Sequence, residues 1–199
     1  MIVTYLGNVS DFSALDVHDR EQKINQIFSS LYAENEIVQE VIIDGNSYRD
    51  HYETVLKQNL AEIREVRIET INGDVFVKDM IQELYKYLPR VNRAIESISD
   101  LFYGDMEKQD WNLFSQLLEG IGWVNQAANI ILLQLRRAQE INPLFHDISL
   151  FVEHLPNLLS ELEQVLAEEE HVAAGDLIKY EIGELFQQFE RSIQSKVNI

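Results

Sequence analysis

The 199-residue chain contains no cysteine. Disulfides, thiol nucleophiles, iron–sulfur clusters and cysteine-ligated zinc are excluded together. Bases are scarce as well: 16 Lys+Arg stand against 34 Asp+Glu, for a formal net charge of −18. A chain so acidic does not favour a nucleic-acid backbone or an anionic membrane surface as partner. Long hydrophobic runs are missing. The longest apolar stretch, Gly120 to Leu135, is interrupted by Asn125, Gln126, Asn129 and Gln134, so it reads as a buried helix rather than a membrane span. The opening residues Met1 to Gly7 lack the basic and apolar regions of a secretory signal, and the expectation is a cytoplasmic protein.

What is present is ordinary for a folded protein. Hydrophobic residues make up 46% and aromatics 10%. A chain of this size buries roughly 70% of its unfolded surface, so it needs no covalent staples. Length allows one domain or two small ones.

The composition changes character near residue 72. Ile2 to Leu6 is strand-like and Gly7-Asn8 breaks it. Asp19 opens a helical stretch through Tyr32, with Ile24, Ile27, Phe28 and Leu31 on one face. Ile37 to Ile43 is a β-rich run, ended by the turn signal Asp44-Gly45-Asn46. Asp50 to Leu60 reads as a second helix, and Glu65 to Ile71 alternates as a half-buried strand does. The order β-α-β-α-β predicts a small α/β layer domain over residues 1–71. Asn72-Gly73 reads as a linker with Asp74 capping a long helix, because Val77, Ile81, Leu84 and Leu88 continue at helical spacing. The alternative is a hairpin turn into a strand at Val75-Phe76-Val77.

Residues 72–199 read as helix, with spans predicted at 74–103, 108–139, 144–168 and 172–195 and joints at Gly104-Asp105, Asn142-Pro143 and Glu168 to His171. A shift of 67 residues places Ile81 on Ile148, Leu84 on Phe151, Leu88-Pro89 on Leu155-Pro156, Val91 on Leu158 and Ile95 on Leu162. A shift of 60 then places Leu117 on Leu177 and Leu118 on Ile178. Two similar hairpins, 74–139 and 144–195, follow from this self-similarity, and with them a mostly antiparallel four-helix bundle. A proline inside a helix removes a backbone hydrogen bond and crowds the preceding turn, so both Leu-Pro steps predict kinks. The competing reading makes each proline the first turn of a new helix. The expected fold class is therefore α+β.

Catalytic patterns are sparse. No Gly-x-Ser-x-Gly elbow, no phosphate-binding glycine loop and no His-Glu-x-x-His occurs. Asp44-Gly45-Asn46 is no calcium loop, since Val55 stands where the closing Glu belongs. Glu168-Glu169-Glu170-His171 holds a Glu-x-x-His step, the spacing of diiron four-helix proteins. It lacks a second copy and reads as a solvated joint. No cofactor is expected.

Charge is uneven. Residues 1–71 carry 13 acids and 6 bases, net −7; residues 72–139 carry 9 and 7, net −2; residues 140–199 carry 12 and 3, net −9. The partner-binding candidates are Trp111, Phe114 and Trp123 on the nearly neutral first hairpin. Glu161, Glu168, Glu169 and Glu170 on the acidic second one would face a basic partner.

Three segments carry a resemblance: Val38 to Gly45, Ile63 to Thr70, and Gly175 to Ile182. They resemble a family of uncharacterised acidic proteins of Gram-positive-type bacteria with a small α/β head and a helical tail. That resemblance implies no activity. The chain is also similar, more weakly, to flagellar or secretion export chaperones, which are small, acidic and helical; the α/β head is a departure from them. The expectation is a non-enzymatic protein-interaction or adaptor protein that binds a protein partner through its helical part, with a homodimer allowed. The alternatives are an export or assembly chaperone and, behind it, a carboxylate-bridged metal enzyme using Glu168 and His171.

Overall fold

The computed structural model describes residues 1–138 and 144–197. The predicted joint at Asn142-Pro143 lies outside the described residues, as does residue 139. The chain divides into two compact units, Met1–Phe76 and Val77–Ile199.

The first unit is a five-stranded mixed sheet with two helices. Its elements are β1 (Ile2–Tyr5), β2 (Asn8–Asp11), α1 (Val17–Ala33), β3 (Glu36–Ile43), β4 (Asn46–Tyr48), α2 (Tyr52–Asn59) and β5 (Glu65–Asn72). The strand order is β2-β1-β5-β3-β4, with β1 and β5 parallel and the other pairs antiparallel.

Three strands were expected and five are present. Leu6 and Gly7 both have positive φ, +47° and +74°, and so do Asp44 and Gly45, +47° and +84°. Two consecutive left-handed residues make the tight turn whose twist matches a β-hairpin. Leu6-Gly7 therefore folds the chain back into β2 instead of only ending β1, and Asp44-Gly45 folds it back into β4. The Asp44 carboxylate also accepts the backbone N–H of Arg64 at 3.0 Å and of Glu65 at 2.8 Å, which ties the turn to the start of β5.

The cap of α1 is Asp16 rather than Asp19, because the Asp16 carboxylate accepts the Asp19 N–H at 2.8 Å. Alternation fixes the buried sheet face. Val3, Val41, Ile43, Val66 and Ile68 pack with Ile24, Ile27 and Leu31 of α1 and Leu56 of α2. Glu65, Arg67 and Glu69 point the other way and are exposed.

A long helix, α3 (Gly73–Ser99), starts directly after β5, so Asn72-Gly73 leads into a helix and no strand forms at Val75-Phe76-Val77. A side chain at 73 would meet the Asn35 amide group, which would have to turn aside. Asn35 in turn donates to the Asp74 carboxylate at 3.0 Å.

The second unit is helical. It continues α3, which ends in a 3-10 turn (Asp100–Tyr103), and adds α4 (Lys108–Ala138), α5 (Leu144–Ala167), α6 (His171–Asp176), a π-helical stretch (Leu177–Ile182) and α7 (Gly183–Val197). The last predicted helix is thus interrupted by π geometry, which fits one extra residue into the turn. Pro89 and Pro156 lie inside α3 and α5, and neither begins a new helix. Leu84, Leu88 and Ile95 of α3 are buried, as are Phe151, Leu155 and Leu162 of α5. They join Ile121, Val124, Ala128 and Ile131 of α4 and Phe186, Phe189 and Ile193 of α7 in one core. The Asn92 amide donates to the Phe186 carbonyl at 3.4 Å and to the Glu190 carboxylate, linking α3 to α7.

Candidate functional site

The side chains with functional potential gather on the helical unit in two places. The first is a groove of about 440 Å³ between α3 and α4, lined by Tyr87, Arg90, Gln116, Glu119 and Trp123 among others. Tyr87 and Trp123 meet edge to face at 4.8 Å between ring centroids, the geometry that aromatic quadrupoles favour. Gly120 makes this approach feasible. A Cβ at that position would stand 3.0 Å from the Tyr87 hydroxyl. Trp123 remains 39% exposed.

This groove sits at the edge of a larger surface. Between Trp111 and Leu135, α4 has twelve exposed positions. Six of them are large apolar residues: Trp111, Leu113, Leu118, Trp123, Ile130 and Leu133. Only one of the twelve, Glu119, carries a charge. A solvated helix face normally shows the reverse, and depletion of charge with enrichment in Trp is what marks the centre of a protein interface. Gly122 lies on the same face with nothing within 4 Å of its missing Cβ. Glycine inside a helix costs about 1 kcal/mol against alanine, and among the described residues none packs against this position.

The second place is where the 3-10 turn after α3 meets the α6–π–α7 segment. Gly175 lets the two approach: a Cβ there would stand 2.9 Å from Phe102 Cβ and 3.2 Å from the Ser99 carbonyl oxygen. Phe102 is buried, with Phe114 at 5.1 Å and Trp111 at 5.9 Å between ring centroids. The His171 ring stands edge-on to Trp111 at 5.7 Å. Around this apolar centre, the Tyr103 hydroxyl donates to the Asp176 carboxylate at 2.7 Å and Lys179 pairs with Asp100 at 2.7 Å. The hydrogen bond to Asp176, with a smaller contribution from burial, pushes the Tyr103 phenol up to about 12. Lys179 is raised too, chiefly by its hydrogen bond to Asp100.

The predicted site residues separate on this surface. Trp111 and Trp123 are both partly exposed on α4. Phe114 is only 5% exposed and belongs to the core. Glu161 is exposed on α5. Glu168, Glu169 and Glu170 are exposed at the α5–α6 joint, where their backbone closes the helix: the Glu170 N–H reaches the Val165 carbonyl and the Glu169 N–H that of Leu166, both at 3.1 Å. Glu169 takes φ +60°, the left-handed position of a helix C-terminal motif usually given to glycine. Among the described residues no group of three or more His, Asp and Glu stands together in a way that could hold a metal ion.

Tyr87, Ile130 and Leu133 do not stand out in the sequence. For the α4 face a signal was there. Residues 111–135 hold a single charge, whereas a quarter of the whole chain is charged. The pairing of Tyr103 with Asp176 joins residues 73 apart and leaves no sequence signature.

Fold and surface together define an α+β chain whose second unit is helical and presents an apolar, charge-poor helix face. Residues 79–192 match the family described as Domain of unknown function (DUF8042), and the chain belongs to that family. The match covers 114 residues, more than half of the chain, and lies in its helical part. It includes the segment Gly175 to Ile182 and leaves out Val38 to Gly45 and Ile63 to Thr70. No curated protein and no solved structure matches the chain. No helix among the described residues is long and apolar enough to cross a membrane.

Proposed function

We propose that this chain is a non-enzymatic, cytoplasmic protein-interaction or adaptor protein, and that it binds a protein partner through its helical unit. The observation that carries the reading is the exposed surface of α4 between Trp111 and Leu135, where six of twelve exposed positions are large and apolar and one is charged. Exposed apolar area of this kind costs free energy in water and is recovered when a partner covers it. The groove beside Tyr87 and Trp123 supplies a place for an anchoring side chain.

The helices supporting this face read as two related hairpins in a four-helix arrangement, kinked at Leu88-Pro89 and Leu155-Pro156. Matched positions support that reading: Leu84 and Phe151, Leu88 and Leu155, and Ile95 and Leu162 are buried in both halves. Leu118 and Ile178 differ, the first exposed and the second buried. The π stretch shifts the register there.

A photo-crosslinking residue placed at Leu133 tests the reading in cells of the natural host. The expected result is a discrete crosslinked protein species, absent when the same probe stands at Val9 of β2. No species at position 133, or the same pattern at both positions, would overturn it.

A further inference from the structure

We infer that Asn72-Gly73 is a covalent modification site, open to deamidation, and that Asn35 is the residue that keeps it latent in the folded chain.

The chemistry belongs to two adjacent residues. The chain has one Asn-Gly step, Asn72-Gly73. Glycine has no Cβ, so nothing on the second residue hinders closure of a five-membered ring. The Gly73 backbone nitrogen gives up its proton and bonds to Asn72 Cγ. The bond from Cγ to the side-chain nitrogen breaks, that nitrogen takes up a proton, and ammonia leaves. Water then opens the cyclic imide. Opening at Cγ leaves aspartate on an unchanged backbone. Opening at the backbone carbonyl leaves isoaspartate and puts one more carbon into the main chain. Water is the only co-reactant, and nothing is oxidised or reduced.

The fold opposes this step at each atom that must move. The Gly73 N–H donates to the Asn35 carbonyl at 2.7 Å, so the attacking nitrogen cannot lose its proton without giving up a hydrogen bond at a buried residue. The Asn72 Oδ1 accepts the Asp74 N–H at 3.1 Å, which holds the carboxamide on the residue beyond Gly73. The backbone is fixed on both sides as well. Asn72 ends β5 in register with Glu36, and Gly73 opens α3.

Asn35 acts here with two groups. Its carbonyl takes the Gly73 N–H, and its amide lies over the Gly73 Cα, where a side chain would otherwise stand. That amide is anchored in turn on the Asp74 carboxylate at 3.0 Å. Asn35 holds φ +59° to do so, a left-handed backbone that asparagine adopts more readily than most residues. Asn35 is thus a positioning residue: it touches the reacting nitrogen and takes no part in the ring closure.

Reaction then requires local opening of the β5–α3 joint, and its rate follows the fraction of chains in which the joint is open. The isoaspartate product cannot close again. Its extra carbon displaces Gly73 from the Asn35 carbonyl as long as residue 72 keeps its pairing with Glu36.

Peptide mass spectrometry of the full chain, incubated at neutral pH, tests this. It reads ammonia loss and isoaspartate at residue 72. The native chain should react at least tenfold more slowly than the same chain unfolded in urea. Asn35→Gly keeps the carbonyl and the left-handed backbone but removes the amide over Gly73. It should speed the native reaction about tenfold, equivalent to about 1.4 kcal/mol of opening free energy, with helicity unchanged. If circular dichroism shows that Asn35→Gly does not fold, Asp74→Ala decides, because it releases the same amide from the surface side. It should speed the reaction in the same direction. Equal rates in the native and unfolded chain would overturn the inference, as would a folded Asn35→Gly, or in its place Asp74→Ala, no faster than the native chain.

Discussion

Tyr103 shows how much of this surface is settled by single contacts. Its phenol is held near 12 by the hydrogen bond it donates to Asp176. The folded state therefore keeps a proton that an unfolded tyrosine loses near pH 10. The contribution of this contact to stability is whole below pH 10 and is lost as pH rises toward about 12. Spectrophotometric titration at alkaline pH should show one tyrosine ionising near 12, and this component should vanish in Tyr103→Phe. A difference spectrum centred near pH 10 would contradict it. Glu169 is a different case, since its left-handed backbone costs about 1 kcal/mol relative to glycine. Sequence spacing could mark the Glu168–His171 joint but not the conformation of its central residue. It could also put Trp111, Phe114 and Trp123 on one helix. Which of them faces water depends on what packs beside α4.

Among the elements, the ends of α3 and α6 meet through Gly175. Alanine there would drive a Cβ to 2.9 Å from Phe102 Cβ and 3.2 Å from a backbone oxygen. Neither neighbour is the free end of a flexible side chain, so Gly175→Ala should destabilise the helical unit by about 1–3 kcal/mol. Chemical denaturation of the dilute chain measures this, and an unchanged midpoint would refute it. The same substitution at Gly122 meets nothing within 4 Å and serves as the control. Most helices were legible from apolar spacing alone, among them α4, whose run of buried residues recurs at three and four. The π stretch was not, because Leu177, Ile178 and Ile182 fit an ordinary helical pattern equally well. The hairpin turns were half legible. Asp44-Gly45 advertised a turn, yet β4, the strand beyond it, is three residues long and mostly exposed, too short to show alternation.

At the scale of the whole molecule, charge is the governing quantity. Of the net −18, residues 1–71 carry −7 and residues 140–199 carry −9, and the segment holding α4 is nearly neutral at −2. This distribution gives a contact on the α4 surface a predictable salt dependence. Raising salt from 0.1 M to 1 M shortens the screening length from about 10 Å to about 3 Å. Attraction between opposite charges then fades while apolar contact does not, so a partner held on the α4 surface should stay bound. A complex held by opposite charges would loosen under the same change. Crosslinking from Leu133 at the two salt concentrations separates these, and a capture lost in high salt would contradict an apolar α4 contact.

The sequence by itself determined composition, net charge and its uneven spread, the α+β class and most helix positions. These depend on residue type and local periodicity, which the chain carries along its length. Only the tertiary structure decided that β1 pairs parallel with β5 and antiparallel with β2, that Phe114 is core, and that Gly120, Gly122 and Gly175 have three different surroundings. Each of those depends on which distant residue arrives opposite. A glycine pressed against Phe102, one under the Tyr87 hydroxyl and one facing open space are identical in the sequence, and the space around them is not.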